Sequence, residues 1–425
     1  MLDLQLIRDD PDAVRHAITV KRTGDPGIVD KILEVDELRR RRQTDLQVAQ
    51  TALNAASKEI GRLMAEKRNE DAQTAIAETN RLKARVKELE EAPKALDEQV
   101  RALLLDIPNI PHPSVPVGSD ESDNEIAFDK GAKPEFGFDA KTHWELAANH
   151  ELIDFERGAK VTGAGFPFYL GKGARLQRAL IAFFLDQAVE RGYTEVQPPL
   201  MVNEASAIGT GQLPDKEDLM YEAQRDGLYL VPTAEVPLTN FFRDEILRPD
   251  QLPTLIAAYT PCFRREAGSY GKEVRGLNRL HQFDKVELVR FVHPDTSYEA
   301  LEALREDAEH LLSLLELPYR RLLMCTGDMG FTQTKKYDLE VWSAGQERWL
   351  EVSSISNFED FQARRANIRF RPEAGAKPEF VHTLNGSGLA LPRIVAALLE
   401  NGQQADGSIL FPPILHSYAG FGRIG

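Results

Sequence analysis

The chain is 425 residues long, 42% hydrophobic and 28% charged, proportions that suit a globular protein of two or three domains with a large core. A formal net charge of −15 argues against nucleic acid as a partner of the surface as a whole. The two cysteines, Cys262 and Cys325, lie far apart and outside any CxxC pair, which excludes a disulfide framework and makes zinc unexpected.

At the N-terminus, Met1-Leu2-Asp3-Leu4 lacks the basic stretch and apolar core of a signal peptide. Longer apolar runs such as Ala179 to Leu185 are far too short for a bilayer. The expected location is therefore the cytoplasm, with no membrane partner. Residues 28 to about 105 read as two long helices. Leu46, Ala49, Leu53, Ala56, Ile60 and Leu63 are spaced by threes and fours, and Thr79, Leu82, Val86, Leu89, Leu96, Val100 and Leu103 fall on a similar ladder. This is coiled-coil spacing. With the polar stretch Glu66 to Asp71 as its tip, the segment is expected to form an antiparallel helical hairpin, each helix roughly 50 Å long. Arg39 and Arg42 on the first seam predict a register shift near the base, and Pro93 on the second predicts a kink. From Lys31 to Arg101 the chain carries 15 basic and 14 acidic residues, so a near-neutral arm joins an acidic body.

From Ile107 to Pro116 the prolines forbid helix, and Gly118 to Asn124 is polar and acidic. The boundary is placed here, dividing an N-terminal domain at 1–110 from a second domain at 111–425 that begins with a linker at 111–142. Beyond His143, helices are expected over Gln177 to Arg191 and Ser297 to Leu315. Strands are expected over Gly227 to Val231, Leu255 to Tyr259, Phe283 to Phe291, Arg320 to Met324, Leu339 to Trp342 and Trp349 to Val352. Several adjacent strands need no crossover helix, which favours an α+β fold over a doubly wound one.

The segment Phe263 to Glu287 concentrates chemistry. It opens with Phe263-Arg264-Arg265-Glu266, passes Gly268, Gly271 and Gly276, and continues through Arg279, His281 and Phe283 to Glu287. Two strands joined by a glycine-punctuated turn would present a forked cation, an aromatic face and carboxylates together. Such a set suits a nucleotide and an amino acid. A surface hairpin of paired charges is the bland alternative.

Four further segments carry weaker signals. Gly192 to Pro199 ends a strand in paired prolines, as an interface or an ordinary edge. Thr233-Ala234-Glu235 opens a short helical run; Thr233 is an N-cap candidate, and the alternative is that Thr233 and Glu235 also face a polar substrate. Glu351-Val352-Ser353-Ser354 ends a strand with a carboxylate and hydroxyls that either form a turn or hold Mg²⁺ against phosphates. Asn385-Gly386-Ser387-Gly388 leads to Arg393 near a helix start, either a core turn or a phosphate and base contact. Gly165 to Gly173 has the wrong spacing for a P-loop, and no histidine pair has metal-ligand spacing.

Taken in order, these segments resemble the class II aminoacyl-tRNA synthetases. Gly192 to Pro199 is similar to motif 1, Phe263 to Glu266 to motif 2, and Gly386 to Arg393 to motif 3. With Thr162 to Tyr169, Thr233 to Glu235, Arg275 to Glu287, Glu351 to Ser354 and the helical arm, the whole chain resembles the bacterial-type seryl-tRNA synthetases. That resemblance implies an antiparallel sheet of six to eight strands flanked by helices, and a homodimer formed through the motif 1 region. It implies an ATP-dependent, AMP-forming ligation of L-serine to tRNA(Ser), with selenocysteine tRNA left open as a second acceptor.

The same resemblance implies ATP contacts by Arg264, Arg265, Glu266, Arg279, Phe283, Glu351, Val352, Ser353, Ser354 and Arg393. Arg264 and Arg393 would be the catalytic cations, and Glu351 with Ser354 would hold Mg²⁺. Thr233, Ala234, Glu235, Arg264, Glu287, Asn385 and Ser387 would form the serine site, with the division of ammonium and hydroxyl between Glu235 and Glu287 left open. On the arm, Arg39, Arg40, Arg41, Arg42, Arg81, Lys83, Arg85 and Lys87 are the expected tRNA contacts; a solvated coiled-coil face is the alternative. An amino-acid carrier enzyme or a non-catalytic binding paralogue are the rival readings.

Overall fold

Heptad-spaced apolar residues build the N-terminal region. In the computed structural model, which describes residues 1–214, 218–266 and 275–425, the chain divides into two units. One comprises residues 2–19 and 23–108; the other comprises Met1, residues 20–22 and residues 109–425. Gly268 and Gly271, expected in the turn of the central hairpin, lie outside the described residues.

In the first unit, helices α1 (Ile28–Ala65) and α2 (Asn69–Leu105) are joined by a short turn at 66–68. Ala49, Val86 and Leu89 pack together with Leu46 and Leu53 alongside, so the predicted seam is where the helices meet. Pro93 is buried within α2, which continues past it. Arg39 does not pack as a seam apolar residue. It pairs with Asp36 at 2.9 Å and crosses to Asp97 on the facing helix at 2.8 Å. Burial favours the protonated form of Asp36, but Arg8, Arg39 and Arg40 outweigh it and hold this carboxyl below its usual range.

The second unit is built on an eight-stranded sheet. In chain order the unit includes β1 (Glu125–Lys130), α3 (His143–Asn149), α4 (Gly171–Glu190), β2 (Thr194–Glu195), α5 (Glu235–Thr239), β3 (Thr254–Phe263), β4 (Gln282–Val292), α6 (Ser297–Leu314), β5 (Tyr319–Leu323), β6 (Lys335–Ser343), β7 (Arg348–Asn357), α7 (Phe361–Ala366), β8 (His382–Ala390) and α8 (Leu391–Asn401). The strand order is β1-β5-β6-β7-β8-β4-β3-β2, antiparallel throughout except for the short edge pair β2–β3. The α+β expectation and the antiparallel sheet flanked by helices are both found.

The pleat gives the central strand β4 two roles. Val286, Leu288 and Val292 enter the large core with Leu180 and Phe183 of α4, Leu304 and Leu311 of α6, and Ile394 and Leu398 of α8. Val289 and Phe291 face the other side, against Ala258 of β3, Leu238 of α5 and Ala363 of α7. Each such fully buried aliphatic or aromatic side chain contributes about 1.5–3 kcal/mol. Arg290 interrupts the apolar set, but Asp307 accepts from it at 2.5 Å and Tyr193 at 2.7 Å, so this buried cation is paired. Both cysteines are buried and unpaired as thiols, in keeping with a small apolar role.

Candidate active site

The polar side of β4 starts where its apolar side chains end. In register with β3, Phe283 faces Cys262 and Glu287 faces Ala258; in register with β8, Glu287 faces Ser387 and Val289 faces Asn385. Phe283, Lys285 and Glu287 are therefore spaced by two along one strand and share one side of it. Arg264 follows the end of β3, where its N–H donates to the His281 carbonyl at 2.9 Å. Its guanidinium donates to the Pro232 carbonyl at 3.2 Å and lies 5.2 Å from the Phe283 ring centre. The predicted meeting of forked cation and aromatic face is present.

Next to them lies a pocket of buried polar groups. Glu287, 1% exposed, pairs with Lys285 at 2.5 Å. It also accepts from Asn385 at 3.1 Å and from Thr233 at 3.3 Å. Glu235 begins α5 and is buried too, accepting from the Gln362 amide at 2.7 Å; that amide is oriented in turn by Thr383, which donates to it at 2.8 Å. Burial, then the Glu287 charge, pushes the Glu235 carboxyl up to about 7. Ala234, just before α5, already has helical backbone angles. Thr233 still accepts from the Glu235 N–H at 3.2 Å, so it covers a free helix donor from one residue further out. Ala234 packs in the core and is fully buried.

Strand β7 and helix α8 bring up the second wall. An irregularity in the β6–β7 register, where Leu339 faces Ser353 but Glu340 faces Glu351, inserts one extra residue. A bulge of this kind changes the phase of the pleat, so positions three apart can face one way. Glu351 is exposed and Ser354 half-buried, whereas Val352 and Ser353 between them are buried. Val352 joins the main core and Ser353 donates to the Ser387 carbonyl at 2.6 Å, so neither side chain is directed to a ligand. Arg393, in the first turn of α8, donates to the Glu351 carbonyl at 2.7 Å and to the Asn278 carbonyl at 3.1 Å. Partial desolvation by the surrounding protein resists ionisation of Glu351, whose side chain still reaches solvent, but Arg393, Lys336 and Arg264 prevail and hold its carboxyl below the usual range. Asp338, opposite Ser354 in the register, has a buried carboxyl oxygen without a hydrogen-bond partner. An ionised carboxylate, a hydroxyl and a spare carboxyl oxygen are hard oxygen donors that fit Mg²⁺.

At the hairpin's mouth, Arg279 pairs with Glu266 at 3.0 Å, while the more exposed Arg265 pairs with Asp218 at 3.1 Å. His281 accepts a place in a small stack: Phe166 lies parallel to it and Tyr221 shares a hydrogen bond with its Nδ1 at 2.9 Å. On the helical arm, Arg40 pairs with Asp36, Arg41 with Glu37, Arg42 with Asp45, and Arg85 with Glu88. Arg81, Lys83 and Lys87 are exposed on α2. Arg39 and Arg40 thus also serve the arm's own ion-pair network.

Two site residues escaped the sequence reading. Lys285 was placed on the strand but given no role, although its spacing between Phe283 and Glu287 puts it on their side. Gln362 lies in a segment without any motif; its reach to Glu235 depends on how α7 packs, which no local spacing reveals.

Residues 1–111 match the family model of the seryl-tRNA synthetase N-terminal domain, and residues 219–402 that of the tRNA synthetase class II core domain (G, H, P, S and T). The chain is 64% identical over 425 residues to a serine--tRNA ligase of Salinibacter ruber, covering 100% of this chain and 99% of that protein. It is 53% identical over 421 residues to one of Thermomicrobium roseum, covering 99% and 94%. Among solved structures, seryl-tRNA synthetase from Pyrococcus horikoshii complexed with ATP superposes with a TM-score of 0.94 at 38% identity, covering 100% of this chain and 99% of that one.

Proposed function

Since the chain belongs to the seryl-tRNA synthetase family, we propose that the constellation around Arg264, Glu287 and Arg393 activates serine with ATP and passes it to tRNA. The reaction is an aminoacyl-tRNA ligation. The serine carboxylate attacks the α-phosphorus in line, pyrophosphate leaves, and a ribose hydroxyl at the 3′ end of tRNA(Ser) then takes the acyl group with release of AMP. The selenocysteine tRNA is a second acceptor to be tested.

The observation that carries this reading is that one strand face joins Phe283 to Lys285 and Glu287, next to Arg264. A nucleotide platform and an amino-acid pocket thus meet at a cation. Negative charge grows on the α-phosphate during attack, and Arg264 is the group to stabilise it. Phe283 supplies a face for adenine, Arg393 covers the opposite face and contacts the phosphates, and Glu266 accepts from the exocyclic amine. Arg265 and Arg279 complete the nucleotide contacts. No protein base is needed for the first step, because the attacking carboxylate is already ionised.

The pocket also supports a division of labour between its carboxylates. Glu287 has Lys285 against it, so its charge is already compensated; it is assigned to the serine hydroxyl with Thr233, Asn385 and Ser387. Glu235 faces a neutral amide and is assigned to the ammonium group. Glu351 and Ser354 are the residues that would hold Mg²⁺, which would neutralise phosphate charge. The arm's exposed cations, Arg81, Lys83, Arg85 and Lys87 together with Arg39 to Arg42, are proposed to contact tRNA phosphates.

Dimerisation is proposed through the Gly192 to Pro199 region. Thr194–Glu195 is an exposed edge strand of the sheet, and Leu200 and Met201 beside it are 40% and 38% exposed. Among the described residues no helix is long and apolar enough to cross a membrane; the cytoplasm is proposed because the reaction needs ATP and tRNA together. Serine-dependent ATP–pyrophosphate exchange tests the whole reading. Exchange with serine and charging of tRNA(Ser) are expected, and no exchange with any amino acid would reject it.

A further inference from the structure

Arg393 and Glu400 lie seven residues apart on α8, two turns along one face of the helix. Arg393 donates to the Asn278 carbonyl at 3.1 Å. Glu400, fully buried, accepts from the His143 N–H at 2.9 Å and from its ring Nδ1 at 2.7 Å. The other ring nitrogen of His143, Nε2, accepts from the Leu277 N–H at 2.9 Å. The two residues on α8 therefore grip the adjacent residues Leu277 and Asn278, one directly and the other through an imidazole.

The rest of the surroundings is built for this contact. Glu400 also accepts from Ser343, from the Gly345 N–H at 2.9 Å and from the Gln346 N–H at 3.2 Å, so its carboxylate is surrounded by donors. Burial alone would protonate it; the His143 bond, followed by Ser343, holds its carboxyl below the usual range. With Glu400 demanding a donor and the Leu277 N–H demanding an acceptor, the His143 ring carries its proton on Nδ1. Gly276, at a φ of +65°, approaches so closely that a Cβ there would stand 2.3 Å from His143 Nε2. The neighbouring Trp144 has the Arg275 guanidinium 4.9 Å from its ring centre. Two consecutive residues of α3 thus dock the segment 275–277.

We infer that His143 is a positioning residue for the ATP site: it fixes Leu277 and Asn278, and through the Asn278 carbonyl it fixes the guanidinium of Arg393. This inference rests on the proposed ATP role of Arg393. His143 touches neither substrate, so its loss acts on nucleotide binding and leaves the serine pocket, built from other elements, in place.

The test compares His143→Phe, which keeps a ring but has no acceptor, with His143→Gln, whose amide supplies one donor and one acceptor. In serine-dependent ATP–pyrophosphate exchange, His143→Phe should raise KM for ATP by about tenfold, the scale of one buried N–H left unsatisfied. KM for serine should stay within about twofold, and His143→Gln should recover most of the ATP affinity. Ring ¹⁵N shifts of the full-length wild-type chain should show the Nδ1–H tautomer, a readout that requires no variant to fold. An Nε2–H tautomer, or an unchanged ATP KM in His143→Phe, overturns the inference alone. Equal losses for ATP and serine would mark a general structural role and also overturn it. Absence of exchange in the unmodified chain would instead overturn the proposed function on which it rests.

Discussion

Glu235 and Glu287 share a pocket but not an electrostatic setting: a lysine amine 2.5 Å away compensates Glu287, while Glu235 is hydrogen-bonded by the uncharged amide of Gln362, and the repulsion of Glu287 on it outweighs the attraction of Lys285 and Arg264. Burial first, and the Glu287 charge second, push the Glu235 carboxyl up to about 7 in the folded chain, against an ordinary value of 4.5. A folded-state value above the unfolded one means that stability is intact below pH 4.5 and is lost as pH rises through 7. The difference corresponds to about 3 kcal/mol. Glu235→Gln should therefore be as stable as the ligand-free wild type at pH 4.5 but more stable by about that amount at pH 8. Urea denaturation at the two pH values measures it, and a constant difference would contradict the assignment. The same substitution should abolish serine activation.

Arg264→Ala removes the cation beside the aromatic platform of Phe283. Its turnover in pyrophosphate exchange should fall by about 10²–10³-fold or more, with the circular dichroism spectrum unchanged, since among the described residues the side chain's one hydrogen bond is to the Pro232 carbonyl. Near-normal exchange would remove Arg264 from the reaction.

The helical arm lies within the compact unit of residues 2–19 and 23–108 and is held by internal packing of α1 on α2. Replacing residues 30–104 by a short linker should spare serine-dependent exchange while eliminating tRNA charging. Undiminished charging by the shortened protein would show that the arm is not the RNA-binding element. Salt dependence of charging by the full chain supplies an independent check, since phosphate contacts weaken steeply as salt rises.

Asp307→Ala should be among the costly substitutions away from the site. Asp307 accepts from Arg290, Arg191 and Tyr193, and removing it leaves the Arg290 cation buried without its carboxylate. A loss of about 3–5 kcal/mol is expected in chemical denaturation. Asp307→Ala/Arg290→Met should recover much of it, because the apolar pair leaves no buried charge behind.

Much of this architecture is legible in local spacing. Heptads located the seam at Ala49, Val86 and Leu89, and alternation located β4, because in both cases the buried side repeats with the period of the backbone. Ordered motifs with unusual residue types, such as Phe263 to Glu266, were legible for the same local reason. What local spacing misses is set by packing between distant segments. Gln362 reaches Glu235 only because α7 and α5 enter the same core cluster, and the phase change that brings Glu351 and Ser354 to one side depends on one extra residue facing β6. The seam position of Arg39 is satisfied in a related way: its cation finds Asp97 on the facing helix, a partner 58 residues away, and does not need to be apolar.

From Lys285 to Leu288, strand β4 alternates site side chains with core side chains, residue by residue. This makes its length less negotiable than its composition. A single codon lost between Phe283 and Leu288 would send a glutamate into the core and an aliphatic chain into the pocket, so fold and activity would fail together. Descent can therefore exchange letters in this strand one at a time, but it cannot count differently.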